Sequence, residues 1–275
     1  MNKVDKAIET IQKAESLALK YQDYGFHLAF SGGKDSQVIY ELCKIAGVKF
    51  HAEMQLTTID PPEVMRFVRN EYPTVTLKRP EISFYDLIIK RRMLPLKGAR
   101  YCCQYFKEQA GSGTVTMLGI RKQESIKRAK RNELEINNFK YSNTLDQFNI
   151  DNKNQVVCLN GKDKIMLSPI IDWTLSDVWG FIRGRNINYC ELYDRGYHRV
   201  GCMFCPMASV KIKRLDRKNY PGVENRIKKS IKYLCDNYGY GDALNCDVDQ
   251  IFEWWISNDS IKVFKAKKLQ YRIAI

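Results

Sequence analysis

Two groups of residues in this 275-residue chain have types and spacing that could do chemistry. The first is a hexapeptide that separates the apolar stretch FHLAF from a stretch with helical periodicity: Ser31, Gly32, Gly33, Lys34, Asp35 and Ser36. A glycine-rich turn between a strand and a helix presents backbone N–H groups to an anion. Asp35 would repel a bare phosphate but fits if a Mg²⁺ lies between them. The hexapeptide therefore predicts a site for a phosphate group with Mg²⁺, and the alternative is a tight turn with Asp35 as an ordinary acid at a helix start.

The second group consists of four cysteines in two pairs, Cys102-Cys103 and Cys202-x-x-Cys205. Four thiolates around one centre suit Zn²⁺ or an iron–sulfur cluster, and free thiols are the third possibility. A Cys-x-x-Cys pair serves both kinds of centre, whereas adjacent cysteines are unusual for a zinc knuckle. Of the other five cysteines, two are expected in the core, and no role is assigned to the remaining three. The core pair is Cys43 and Cys158, and the unassigned cysteines are Cys190, Cys235 and Cys246.

The elements that must position these residues alternate between short apolar runs and helical patterns from residue 26 to about residue 130. Such alternation predicts an α/β fold, a Rossmann-like parallel sheet with helices on both faces, here preceded by an amphipathic helix at residues 3–22. We expect a surface insertion at residues 132–154 and a hairpin that turns at Asn160-Gly161. The predicted domains are a nucleotide-binding domain at residues 1–189 and a helical C-terminal region at residues 190–275 that carries the Cys-x-x-Cys pair.

Composition indicates the kind of partner. The net charge is +14 and the isoelectric point is about 9.3, which favours a polyanion such as nucleic acid, although a surface kept soluble by lysine is the alternative. No apolar run approaches the ~20 residues of a membrane helix, and the first residues lack a secretory signal pattern. We therefore expect a cytoplasmic protein without membrane contact.

The hexapeptide resembles the PP-loop of the ATP pyrophosphatases, and the segment GIRKQES resembles a motif of the phosphoadenosine phosphosulfate (PAPS) reductase family. The first resemblance implies that the loop binds the pyrophosphate of ATP and that attack at the α-phosphorus releases pyrophosphate. The second implies that Gly119, Arg121 and Arg128 line the nucleotide site, with Lys34, Asp35 and Arg121 as candidate catalytic residues. Thr58 and Asp60, in the segment TTIDPPE, stand where relatives hold the nucleotide, and a helix cap by Asp60 is the alternative.

The cysteine pattern is similar to that of the adenosine 5′-phosphosulfate (APS) reductases. This resemblance implies a [4Fe–4S] cluster on Cys102, Cys103, Cys202 and Cys205, with Zn²⁺ as the alternative. Those reductases also carry a catalytic cysteine in a Glu-Cys-Gly-Leu/Ile-His segment, which has no counterpart here.

The predicted function is therefore ATP-dependent sulfur transfer, resembling the sulfurtransferases of DNA phosphorothioation and, more loosely, the tRNA thiolases. Its partners would be an adenine nucleotide, DNA or tRNA, and a sulfur donor such as a cysteine desulfurase. The basic segments KRRMLPLKGAR, KIKRLDRK and KVFKAKKLQYR are candidates for the nucleic acid track. An APS or PAPS reductase is the first alternative, and a nucleic-acid-binding adaptor with an inactive pocket is the second.

Overall fold

A computed structural model describes residues 2–137 and 163–273 and contains a six-stranded sheet. The strands are β1 (Phe26–Ala29), β2 (Phe50–Gln55), β3 (Thr76–Lys78), β4 (Val115–Met117), β5 (Leu134–Asn137) and β6 (Lys164–Leu167). Their order is β3-β2-β1-β4-β6-β5, and every pair is parallel except β5 with β6. The sheet confirms the α/β fold with a mostly parallel sheet.

Twelve α-helices and two 3-10 helices accompany the sheet in the described residues. The helices of the first three quarters are α1 (Lys3–Leu19), α2 (Lys34–Ala46), α3 (Pro62–Glu71), α4 (Phe84–Arg91), α5 (Tyr101–Phe106), η1 (Lys122–Glu124), α6 (Ile126–Ala129), α7 (Leu175–Gly184) and η2 (Glu191–Tyr193). The helical C-terminal part contains α8 (Val210–Asn219), α9 (Pro221–Tyr238), α10 (Tyr240–Leu244), α11 (Val248–Ser257) and α12 (Ile261–Ile273).

The sheet order explains why the loop after β1 is suited to hold a ligand. β1 pairs with β2 on one side and with β4 on the other, so the chain leaves β1 at the point where the strand order reverses. In open α/β sheets this switch point opens a crevice at the carboxyl ends of the strands, and ligands bind there. The hexapeptide occupies that position, between the end of β1 and the first turn of α2.

Each predicted strand before residue 120 has a counterpart, and the amphipathic helix at the N-terminus is α1. Helix α7 begins two residues after Trp173, and its first turn is closed by Thr174 and Asp177 in a capping box. Helix α5, which carries the adjacent cysteines, was not predicted. The expected turn at Asn160-Gly161 and most of the expected insertion lie outside the described residues.

The chain divides into two compact units, and neither is continuous in sequence. The first unit contains residues 1–55, 62–78 and 109–200, and includes the sheet and the hexapeptide. The second contains residues 56–61, 79–108 and 201–275, and includes both cysteine pairs. The prediction of one domain at residues 1–189 and a second region at residues 190–275 concerns parts that fold separately, and it stays a prediction. Within the described ranges, no helix combines the length and the apolar character that crossing a bilayer requires.

His27, in the central strand β1, makes the stability of the first unit depend on pH. The side chain is 4% exposed, and its Nε2 has no hydrogen-bond partner among the described residues. Burial, helped by the charges of Lys164 and His51, lowers the pKa of His27 from 6.5 to about 4. The unfolded chain therefore binds a proton between these two pH values and the folded chain does not, so stability is lost as pH falls from 6.5 towards 4.

We expect the free energy of unfolding to fall by about 3 kcal/mol over this interval because of His27. Urea denaturation at several pH values should show this loss in the wild type. It should be mostly absent in a His27→Gln variant, which cannot titrate. The neighbouring His51→Gln variant, in β2, serves as the matched control and should keep most of the dependence, because burial is the largest cause of the shift at His27. An unchanged profile in His27→Gln would show that other groups cause the effect.

Candidate nucleotide site and cysteine cluster

The backbone of the hexapeptide can turn sharply because two of its positions are glycine. Gly32 has a φ of +69°, and a Cβ there would lie 2.8 Å from the Cγ2 of Val68 on α3. Gly33 is the N-cap of α2, so the helix begins within the loop and directs its positive end towards residues 31–33. Ser36, one turn into α2, donates a hydrogen bond from Oγ to the carbonyl oxygen of Gly33 at 2.8 Å. The local sequence thus produces an anion-binding turn at the switch point.

Asp35 lies between two cationic side chains. Its Oδ1 accepts a hydrogen bond from Nε of Arg121 at 2.7 Å, and its Oδ2 accepts one from Nζ of Lys34 at 3.0 Å. The side chains of both cations are 5% exposed, whereas that of Asp35 is 17% exposed. Two nearly buried cations around one carboxylate leave an excess positive charge at this point. The group brings together the three residues predicted to be catalytic.

Three backbone amides of the loop, those of Ser31, Gly33 and Lys34, already have acceptors within the first unit. The amide of Lys34 donates to the phenol oxygen of Tyr193 at 2.9 Å, and the amide of Ser31 donates to Oγ of Ser36 at 3.2 Å. Burial raises the pKa of Tyr193, so the phenol stays protonated. A phosphate oxygen that binds to the amide of Lys34 must therefore displace or share the position of the Tyr193 oxygen.

Gly119, after β4, lets the motif that carries Arg121 approach the start of α2. A Cβ at Gly119 would lie 2.9 Å from Cβ of Asp35 and 3.0 Å from its carbonyl carbon. Backbone atoms cannot yield as a flexible side chain can, so any larger residue must push the two segments apart.

A Gly119→Ala variant should therefore be destabilised by about 1–3 kcal/mol and should bind nucleotide more weakly. Urea denaturation and a nucleotide-binding assay measure the two effects. Gly180→Ala is the matched control, since Gly180 lies within α7 with nothing near the added methyl group. That variant should be unchanged or stabilised by about 0.5–1 kcal/mol. Equal behaviour of the two variants would contradict the close packing of Gly119 on Asp35.

The other residues predicted to bind nucleotide have different surroundings. Arg128 on α6 forms an ion pair with Glu124 of η1. Thr58 and Asp60 belong to the second unit. The carboxylate of Asp60 accepts hydrogen bonds from the amide and the hydroxyl of Thr57, at 2.6 and 2.9 Å, while Oγ1 of Thr58 accepts one from the amide of Phe84. These contacts stabilise the turn that contains Thr58 and Asp60. That Arg128, Thr58 and Asp60 bind nucleotide stays a prediction.

Both cysteine pairs belong to the second unit. Cys102 and Cys103 lie on α5, and a hydrogen bond between their side chains raises the pKa of Cys102 and lowers that of Cys103. Charge interactions reach from Cys102 to both Cys202 and Cys205. Among residues 2–137 and 163–273, no three Cys, His, Asp or Glu side chains form a group that could hold a metal ion. The four thiols nevertheless fit a cluster by donor type and number, since four cysteines are the usual ligand set of a [4Fe–4S] centre.

Backbone contacts hold the Cys-x-x-Cys turn in place. The amide of Met203 donates to the carbonyl oxygen of Ile59 at 2.8 Å, and the amide of Phe204 donates to Oδ2 of Asp216 at 2.8 Å. Phe204 is fully buried and has a φ of +51°, a left-handed backbone conformation that forms part of the turn between Cys202 and Cys205. The turn is thus held by contacts within the second unit.

Two residues of these sites were not predicted. Lys107 follows Cys103 by four residues, which places both on one side of the helix end, and the Cys202 sulfur raises the pKa of Lys107 through charge interaction and a hydrogen bond. The i,i+4 spacing was a usable signal for Lys107. The contact of Tyr193 with Lys34 spans 159 residues of sequence and has no local signature.

A mostly parallel sheet with a glycine turn at its switch point and Lys and Asp at the start of the next helix defines the PP-loop class of α/β nucleotide-binding folds. Within that class, the model of the phosphoadenosine phosphosulfate reductase domain matches residues 25–208, and the chain belongs to this family.

Proteins similar in sequence to this chain carry the names of several different activities. A probable FAD synthase of Schizosaccharomyces pombe is 28% identical over 70% of this chain and 67% of its own length. An adenosine 5′-phosphosulfate reductase of Oceanobacillus iheyensis is 26% identical over 72% of this chain and 78% of its own. An uncharacterized protein of Methanocaldococcus jannaschii is 26% identical over 88% of this chain. The matched region covers 55% of that relative, so this chain spans only about half of its length. A solved structure of Candida glabrata FMN adenylyltransferase with FAD and pyrophosphate covers 73% of this chain and 64% of its own, with 15% identity and a TM-score of 0.45.

Proposed function

We propose that this protein is an ATP-dependent adenylyl-transfer enzyme of the PAPS reductase family that carries a [4Fe–4S] cluster and transfers sulfur to nucleic acid. The observation that carries the proposal is the position of Asp35 between Lys34 and Arg121, at the start of the helix after the glycine turn. A pocket for an already activated nucleotide needs cations but no acidic residue. An acidic residue among them supports a bound Mg²⁺ and a polyphosphate.

In this proposal, the triphosphate of ATP binds along residues 31–36 and the helix N-terminus stabilises its charge. Lys34 and Arg121 turn from Asp35 towards phosphate oxygens, and the guanidinium can donate two hydrogen bonds to one phosphate. Asp35 then has a free carboxylate to hold Mg²⁺, which would take its other ligands from phosphate and water. An oxygen of the acceptor attacks the α-phosphorus, the bond to the bridging oxygen breaks, and pyrophosphate leaves. The protein's contribution is orientation and charge stabilisation.

The cysteine cluster supports the second half of the proposal. Cys102, Cys103, Cys202 and Cys205 would hold the [4Fe–4S] cluster, and the bound cluster would supply a site that binds sulfur and passes it on. Zn²⁺ on the same thiols is the alternative, and elemental analysis of anaerobically purified protein distinguishes the two. A sulfur donor such as a cysteine desulfurase remains part of the proposal.

Incubation with Mg-ATP and a pool of DNA or tRNA tests the adenylyl-transfer step. We expect release of pyrophosphate that depends on both ATP and nucleic acid. AMP should follow only when a sulfur donor is also present, because AMP leaves when sulfur replaces the adenylyl group on the acceptor. An absence of pyrophosphate with every acceptor would contradict the proposal.

Assimilatory reduction of APS is the second candidate function, because a relative carries the name of that reductase and because the cysteine spacing resembles that of the APS reductases. Thiol-dependent release of sulfite from APS measures it. If the first proposal is correct, the protein should release no more sulfite than a control that lacks the protein. Sulfite release without ATP turnover would favour the reductase.

A further inference from the structure

We propose that the face formed by α4 and α9 of the second unit binds single-stranded nucleic acid. This inference rests on the proposed function, since it names the surface that would receive the acceptor. The observations that carry it are exposed tyrosines on α9 and exposed cationic side chains that form no ion pair within the described residues, side by side on two adjacent helices.

The positive charge of the chain is concentrated in the second unit. Its 111 residues hold 21 of the 45 basic residues but only 12 of the 31 acidic residues, so they carry +9 of the net +14. Nucleic acid binding depends on neutralising phosphates with Lys and Arg, so this unit is the better candidate.

Some of these cationic side chains form hydrogen bonds and ion pairs within the unit. Lys213, in the predicted track KIKRLDRK, is fully buried and donates to Oδ1 of Asn258 at 2.6 Å and to the carbonyl oxygen of Trp255. Arg217 of the same segment pairs with Glu224 and Glu253. This segment is therefore a poor track for a polyanion, because two of its cations hold the unit together.

The face of α4 and α9 differs in this respect. Arg92, Arg226 and Lys229 are exposed, and none of them forms an ion pair with an acidic side chain in the part of the chain that the structure describes. The acidic Asp236 on the same helix is paired with Lys232 at 3.0 Å. The available charge on α9 is therefore positive, and the exposed Asp86 of α4 accepts hydrogen bonds from Ser83 in the cap of its own helix.

Aromatic rings stand between these cations. The guanidinium of Arg92 lies 4.5 Å from the ring centre of Tyr238, which contacts the ring of Tyr233 edge to face, and Arg226 lies 5.8 Å from the ring centre of Tyr85. Tyr233 is 43% exposed and Tyr238 is 42% exposed, large fractions for aromatic side chains. Because Arg226 and Tyr238 are twelve residues apart on α9, the face extends for about 18 Å.

Interleaved rings and cations are what unpaired bases and their phosphates require. Exposed aromatic rings stack on bases that are not in a duplex, and guanidinium groups bind phosphate or stack on the same bases. A duplex keeps its bases stacked inside and would use only the cations. The chemistry of the face therefore favours single strands over duplexes.

Fluorescence anisotropy with a labelled 20-nucleotide single strand, as RNA and as DNA, tests the proposal against a duplex of the same sequence. We expect at least about tenfold tighter binding of a single strand than of the duplex. Tyr233→Ala and Tyr238→Ala should each weaken that binding about tenfold, because one base loses its stacking partner. Lys229→Glu should weaken it and reduce the salt dependence by about one or two phosphate contacts.

Two matched controls separate this face from general charge or aromatic effects. Lys49→Glu makes the same charge change on an exposed lysine of the first unit, and Tyr24→Ala removes a tyrosine there that is 39% exposed. Both should bind the single strand as the wild type does, and circular dichroism checks that all variants are folded. Three results would each overturn the proposal. They are an equal loss of binding in Lys49→Glu and Lys229→Glu, wild-type binding by both Tyr233→Ala and Tyr238→Ala, and equal affinity of the protein for the single strand and the duplex.

Equilibrium dialysis with Mg-ATP distinguishes failure of the face from failure of the nucleotide site. Tyr233→Ala should bind Mg-ATP like the wild type, since the mutated side chain is not part of the PP-loop site. If the wild type binds single strands but neither binds nor splits ATP, the proposed function fails and the surface stands. If ATP is split but single strands do not bind through this face, the surface proposal alone is wrong.

Discussion

An Asp35→Asn variant should lose ATP-dependent pyrophosphate release by a factor of at least about 10³, because it keeps the shape of the side chain and removes the charge that would hold Mg²⁺. An amide also cannot accept hydrogen bonds from both Lys34 and Arg121 as a carboxylate does. Asn is preferable to Ala here. Both variants remove the charged partner of two nearly buried cations, which costs about 3–5 kcal/mol, but Asp35→Ala also loses the packing and the remaining hydrogen bond of the side chain.

Binding without metal makes this prediction sharper. With Asp35 neutral, Lys34 and Arg121 have no carboxylate to pair with, so they remain available to a triphosphate. We expect metal-free ATP to bind at least as tightly to Asp35→Asn as to the wild type, while turnover is lost. Equilibrium dialysis with a chelator present measures the binding, and pyrophosphate release measures the turnover.

Asp249→Asn is the matched control, since it makes the same chemical change in an ion pair at the surface, with Lys228. Its side chain is 76% exposed, and surface ion pairs contribute about 0–1 kcal/mol. That variant should retain full turnover and nearly full stability. Wild-type pyrophosphate release by Asp35→Asn would show that the acidic residue of the hexapeptide has no part in the reaction.

The part of this site that sequence patterns predicted is the part with short-range causes. An apolar strand, two glycines and a helical period are sufficient to predict β1, the turn and α2, because each depends on neighbours within a few residues. The contact between Asp35 and Arg121 spans 86 residues, and it was accessible only through the resemblance of the segment that contains Arg121 to a family motif.

The rest depended on tertiary packing. Helix α5 has six residues and is too short for a periodic pattern to identify, so the adjacent cysteines could not be assigned to a helix. The assembly of the second unit from three separate segments follows from contacts such as that of the indole of Trp255 with the carbonyl oxygen of Pro95, at 2.7 Å. Such long-range pairings leave no periodic trace in one sequence.

The same packing makes the cysteine cluster testable by a single atom change. Cys202→Ser replaces one sulfur by oxygen at a half-buried position, and a hydroxyl is a poor ligand for iron in such a cluster. After anaerobic purification we expect loss of most of the iron and sulfide, and of the broad visible absorption near ~400 nm that a thiolate-bound cluster gives. Zinc without sulfide in the wild type would instead indicate the alternative centre.

Loss of the metal should also weaken the second unit, because the free energy of metal binding contributes to folding. The loop that contains Cys202 and Cys205 should become more sensitive to limited proteolysis, while the first unit, which contains no ligand of the cluster, should keep its stability. Cys246→Ser is the matched control, since Cys246 is also half-buried and belongs to the same unit. Full iron content in Cys202→Ser, or its loss in Cys246→Ser, would show that the four cysteines assigned here are not the ligands.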